Sequence, residues 1–173
     1  MPRNLIVPLY SIGVFVALLQ IWGGYWDVSW HGLGLVETFF GINHIPLYSG
    51  VALVIFASVL GVTMRFRSPG DRTKRYLSTG FMITAAGGFV QVIAGPFDFW
   101  WHGNFGFDPF LFTPLHSLLI GGIVLSGLSV SVGSLRLLHA YRSDALRGYL
   151  AYSKWLQVLV IISLTTIWLD TRR

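Results

Sequence analysis

The chain has 173 residues, of which 54% are hydrophobic and only 11% charged, with a formal net charge of +5. Soluble domains carry roughly 25% charged residues, so this balance excludes an ordinary soluble fold. Cysteine is absent, which excludes disulfides and thiolate metal sites.

The first predicted element lies within residues 4–26, which carry no charged side chain. Such a run is long enough to cross a hydrocarbon core of roughly 30 Å at about 1.5 Å rise per residue. Arg3 precedes it with the polarity of a signal peptide. The run is too long for one, however, and no small-x-small cleavage site ends it, so the segment is expected to be retained. Uncharged windows at 38–64, 76–97 and 109–135 predict three further spans. A fifth, about 148–169, is interrupted by Lys154 near one end, where the ammonium can snorkel to the headgroups. The expected fold is all-α: one integral membrane domain of five transmembrane helices, with no separate soluble domain.

Loop charge predicts orientation. The 65–75 connection holds Arg65, Arg67, Arg72, Lys74 and Arg75 against Asp71, and the 136–147 connection holds Arg136, Arg142 and Arg147 against Asp144. By the positive-inside rule both face the cytoplasm, as does the N-terminus. Arg172 and Arg173 then fall outside, a mild conflict in a short tail. The positive net charge is a topology signal, and no nucleic-acid partner is expected. Trp22, Tyr25, Trp26, Trp30, Phe97, Trp100 and Trp101 gather at the predicted outer level, where membrane interfaces favour aromatic rings.

At that level the sequence repeats itself. Asp27, Trp30 and His31 recur 71 residues later as Asp98, Trp101 and His102. A second histidine follows the first by thirteen residues at His44 and by fourteen at His116. Gln20/Gln91, Gly24/Gly95, Gly32/Gly103 and Glu37/Asp108 keep the same offset of 71. Two copies of a helix hairpin are expected, at about 5–64 and 76–135, with 148–169 as an extra helix. Both copies run inside-out-inside, so they relate through an axis along the membrane normal.

On a helix, Asp27 and His31 share a face one turn apart, as do Asp98 and His102, with Gln20 and Gln91 two turns below. Thr113-Pro114-Leu115-His116 reads as an N-cap, a proline at the first helical position and a histidine in the first turn; Asn43-His44-Ile45-Pro46 is a looser version. A hairpin built this way gathers one carboxylate and two imidazoles at its outer end, a donor set for copper, non-haem iron or zinc. An Asp–His pair near a membrane surface can also be only a hydrogen bond, but duplication of both spacings favours metal. Trp30 and Trp101 read as interfacial anchors and packing walls, Gln20 and Gln91 as interhelical hydrogen-bond partners. Glu37 and Asp108 read as hydrated loop acids that can also support the ligands or add one. The paired glycines permit close helix approach or the turn off a helix end. His139 lies among cytoplasmic arginines and reads as a solvated loop residue.

These residues resemble the C subunit of the copper-dependent membrane monooxygenases, the particulate methane and ammonia monooxygenase family. That subunit has Asp-x3-His followed by His at thirteen, which Asp27, His31 and His44 match, and Asn-x3-His followed by His at fourteen. Asp98, His102 and His116 match the second set in spacing, with Asp98 in place of the family's Asn. Glu37 and Asp108, six residues beyond each first histidine, are similar to the pattern in the short archaeal members. The resemblance covers about residues 20–120. It implies two copper sites near the outer face, assembly with two other membrane subunits into a higher-order oligomer, and dioxygen-dependent hydroxylation of ammonia, methane or a short hydrocarbon. A membrane metal-binding protein of copper delivery or assembly would use the same ligands. A transporter is disfavoured by the lack of ionisable groups at mid-membrane. A bis-His haem protein is disfavoured by the acid one turn before each histidine.

Overall fold

The structure, a computed structural model, describes residues 6–36, 38–67, 69–106, 113–140 and 158. Among them it is all-helical: α1 (Ile6–Gly32), α2 (Ile45–Phe66), α3 (Arg72–Phe105) and α4 (Pro114–Ala140). The expected helix at 148–169 and the acids Glu37 and Asp108 lie outside the described residues. All four helices are long and apolar enough to cross a membrane, over Pro8–Gly32, Ile45–Phe66, Ser78–Phe105 and Pro114–Leu137.

Each helix packs on the next in chain order, and α4 closes the ring against α1. The arrangement is an antiparallel four-helix bundle, with α1 and α3 on one diagonal. Its interior has two apolar clusters. One joins Leu9, Tyr10, Val14, Met64, Phe81, Val130 and Leu137, with Tyr10 stacked on Phe81 at 4.4 Å between ring centroids. The other joins Ala17, Ile21, Leu47 and Ile123 nearer the α1 C-terminus.

Outside these clusters the interior mixes small apolar residues such as Val16, Val54 and Ala57 with small polar ones, while large apolar side chains cover the outside. Ser58, Ser78, Thr84, Ser126, Ser129 and Ser134 are buried, whereas Phe15, Phe56, Phe89 and Leu128 are exposed. This distribution suits lipid as solvent: little hydrophobic force draws helices together there, so small residues and hydrogen bonds do so instead. Ser129 Oγ, for example, reaches from α4 to the Gly80 carbonyl of α3 at 2.6 Å.

The glycines at close approach are not the ones expected. A Cβ at Gly24, Gly95, Gly32 or Gly103 would meet nothing within 4 Å among the described residues. Close packing instead uses Gly23 against the backbone of Pro46 and Leu47, Gly50 against the Gln20 side chain, and Gly122 against Gln91. The turns off the helix ends use Gly34 and Gly106, at φ of 64° and 82°. Glycine adopts that left-handed conformation without the steric cost of a Cβ, and so ends α1 and α3 within four residues of His31 and His102.

Candidate metal centre

Both ligand sets lie at one end of the bundle, opposite the basic α2–α3 connection. α1 and α3 run past the uncharged windows to Gly32 and Phe105, so Asp27, His31, Asp98 and His102 all sit on regular helix. One turn therefore separates each acid from its histidine. The chain then reverses, and the second histidine of each set stands at the start of the next helix. His44 is itself the residue before α2, and His116 is the third residue of α4. Pro46 and Pro114 occupy first-turn positions, where a missing N–H costs nothing. The expected side-chain cap at Thr113 is not made: its Oγ1 is buried without a hydrogen-bond partner among the described residues, and its carbonyl accepts from the Ser117 N–H at 2.8 Å.

In the first set, Asp27 Oδ1 is 2.9 Å from His44 Nε2 and 3.6 Å from His31 Nε2. In the second, Asp98 Oδ2 is 3.1 Å from His116 Nε2 and 3.6 Å from His102 Nε2, and the two Nε2 atoms are 3.3 Å apart. Ligands held by one ion at about 2.0–2.2 Å stand roughly 3–3.6 Å from each other, so these separations fit common coordination. Asp27, His44, Asp98, His102 and His116 are buried, and His31 is half-buried.

The outer ring nitrogens determine what the inner ones can do. His44 Nδ1 lies 3.0 and 3.1 Å from the carbonyls of Thr38 and Phe39, and His102 Nδ1 lies 3.1 Å from that of Gly106. A carbonyl only accepts, so Nδ1 carries the proton in both rings. A neutral ring then turns the Nε2 lone pair toward a carboxylate. Lone pair facing carboxylate is repulsive unless a cation, either a proton or a metal ion, lies between them. Hydrogen bonding of the distal nitrogen to a carbonyl is also how proteins orient metal-binding histidines.

Spacing did not reveal Asn43, a buried residue whose Nδ2 donates to Asp27 Oδ1 at 2.7 Å. Its place immediately before His44 was the available signal. The position before His116 is Leu115, and among the described residues neither Asp98 Oδ1 nor His116 Nδ1, both buried, has a hydrogen-bond partner. The two carboxylates thus differ in support although each stands four residues before its first histidine.

Gln20 and Gln91 meet below the ligands, Gln20 Nε2 donating to Gln91 Oε1 at 2.8 Å. Gln91 Nε2 also donates to the Gly87 carbonyl and to Ser126 Oγ, both at 3.3 Å. Trp30 donates its indole N–H to the Val36 carbonyl at 3.1 Å and pins the turn after α1. Trp101 is partly exposed and packs on Phe105 at 4.4 Å. Beside the first set, Tyr48 stacks on His44, and Phe39 contacts both Tyr48 and Phe99.

The residues present fit a divalent cation with nitrogen and oxygen preference. Asp27, His31 and His44 form one group able to hold an ion, and His31, His102 and His116 form another. Comparisons with protein-family models, with curated proteins and with solved structures each find no match to this chain.

Proposed function

We propose that this chain is the copper-binding subunit of a membrane monooxygenase that hydroxylates a small substrate with dioxygen. The observation that carries the proposal is the pair of largely buried carboxylate–imidazole clusters at one end of an all-helical, membrane-compatible bundle. In two of these imidazoles the distal nitrogen is already committed to a carbonyl. Imidazole-rich sets without thiolate suit copper among the first-row ions, and a two-His-one-carboxylate set leaves positions open. When bound there, copper supplies the one-electron chemistry that activates dioxygen.

The protein's own groups would do the rest. Asp27 and Asp98 offset the ion's charge. The carbonyls of Thr38, Phe39 and Gly106 fix ring orientation, and the aromatic side chains of Phe39, Tyr48 and Phe99 provide a dry wall suited to a small uncharged substrate. Resemblance to the monooxygenase C subunit, together with the shared offset of 71, supports an internally duplicated hairpin in a five-helix protein. Its ligands would face outside, with the N-terminus in the cytoplasm and the apolar flanks meeting lipid and two further subunits.

The test is to purify the chain with its membrane partners, determine metal content and measure dioxygen-dependent hydroxylation of ammonia, methane and short alkanes. Copper near two equivalents, in a complex much larger than 19.3 kDa, with hydroxylation lost on chelation, supports the proposal. Copper bound without hydroxylation, in a chain that passes the metal to another protein, would assign it to delivery instead. Absence of metal would overturn both.

A further inference from the structure

The two ligand sets are not separate in space, and the point of contact is His31. Its spacing places it with Asp27 and His44, yet a ring nitrogen of His31 also lies within 4.8 Å of ring nitrogens of both His102 and His116. The His31 ring centroid is 5.5 Å from that of His102 and 6.4 Å from that of His116, and the latter two are 5.0 Å apart. His31 thus stands almost as close to the second pair of imidazoles as they stand to each other. The helices that bring this about, α1 and α3, lie on the bundle diagonal and are joined below by the Gln20–Gln91 hydrogen bond.

Donor supply differs between the sets. Around Asp27 the site has His44 and an amide donor, Asn43, that holds the carboxylate in place. Around Asp98 the corresponding place is held by Leu115, and Oδ1 is buried without a hydrogen-bond partner among the described residues. The second set therefore presents a carboxylate without amide support, next to two imidazoles and within reach of a third.

Resting on the metal reading above, we infer that His31 is a ligand shared between the two sets, so that they form one joined centre. A neutral imidazole with one protonated nitrogen has a single lone pair, so it serves one ion at a time. The first ion takes His31, and the second finds one donor fewer. Uptake is therefore stepwise, one tight equivalent followed by a weaker one, and the ion held by Asp98, His102 and His116 draws on His31 whenever the first set is vacant.

The test uses Cu(II) and the detergent-solubilised full chain, with a competing chelator to set the free-ion concentration. His44→Ala cripples the first set and leaves one equivalent on the second. Adding His31→Ala to that background is expected to weaken the remaining equivalent by about tenfold or more, since even groups behind the ligands are worth 10–100-fold in affinity. Electron paramagnetic resonance of the same samples should show one coupled nitrogen fewer. His31→Asn in the same background, with helicity checked by circular dichroism, separates ligand loss from misfolding: the folded Asn variant should show the same loss. Unchanged affinity and nitrogen coupling in the double variants would overturn the sharing while leaving the metal reading intact. Failure of the unsubstituted chain to take up Cu(II) would overturn both.

Discussion

Gln20 and Gln91 are joined by a 2.8 Å side-chain hydrogen bond across the bundle diagonal, although 71 residues separate them in the chain. Each glutamine lies seven residues, about 10 Å along its helix, from the acid of its own ligand set. Each packs on a glycine of the following helix, Gln20 on Gly50 and Gln91 on Gly122. The bond therefore ties together the two helices that supply Asp27, His31, Asp98 and His102.

Replacing either glutamine by leucine strands its partner in an interior without water. Interhelical hydrogen bonds in membranes are worth about 0.6–2 kcal/mol. Gln91→Leu should be the costlier change because it also releases Ser126 and the Gly87 carbonyl. Thermal unfolding in detergent checks this, and the double variant should lose less than the two singles added together. Strict additivity would mean that the bond contributes nothing.

His44→Ala and His102→Ala each remove a ligand from a different set, and each should lower bound metal by about one equivalent. Elemental analysis of the purified variants measures this. Full occupancy in both would rule out ligation by these residues.

Asn43→Leu removes the amide that donates to Asp27 Oδ1 but leaves every ligand in place. Metal affinity of the first set should fall by about 10–100-fold with the second set unaffected. Chelator competition in a His116→Ala background isolates the first set, and an unchanged affinity there would make Asn43 a purely structural residue.

Gly106→Ala places a Cβ on backbone at φ 82° and disturbs the carbonyl that accepts from His102 Nδ1. A cost of about 1 kcal/mol in stability is expected from the backbone alone. Weaker metal binding at the second set should accompany it. A variant with native melting temperature and native affinity would show that neither the turn nor the carbonyl matters.

Orientation is open to direct labelling because the chain has no cysteine. A membrane-impermeant maleimide applied to intact cells should modify Asn104→Cys, at the ligand end, and spare Gly70→Cys, in the basic connection. The reverse pattern would put the ligands in the cytoplasm.

How far the sequence could be read depended on how local each feature was. The i, i+4 pairing of Asp27 with His31 and of Asp98 with His102 follows from helix geometry, so residue spacing alone makes it legible. The return of His44 and His116 to the same end follows from hairpin closure and the prolines beside them. Placement across the diagonal was not legible: nothing in the spacing of His31 says that it approaches His102 and His116, because that distance is set by how α1 and α3 pack. The matched Gly24/Gly95 pair misled for the same reason. Periodicity locates a glycine on a helix but does not say what faces it, and these meet no other described residue while Gly50 and Gly122 hold the glutamines. Thr113 has the residue type of a cap, yet its hydroxyl makes no such bond.

Because every ligand comes from the same end of four different helices, an ion bound there would act as a rivet at that end alone. The opposite end, closed by the basic turn where Arg65 reaches the Arg75 carbonyl and Thr79 Oγ1, has no comparable fastening among the described residues. Loading should make the molecule rigid in a gradient along its length, slowing amide exchange most in the C-terminal turns of α1 and α3 and least beside Arg65 and Arg75. Heat would then splay the loaded bundle from its basic end while the riveted end stays closed.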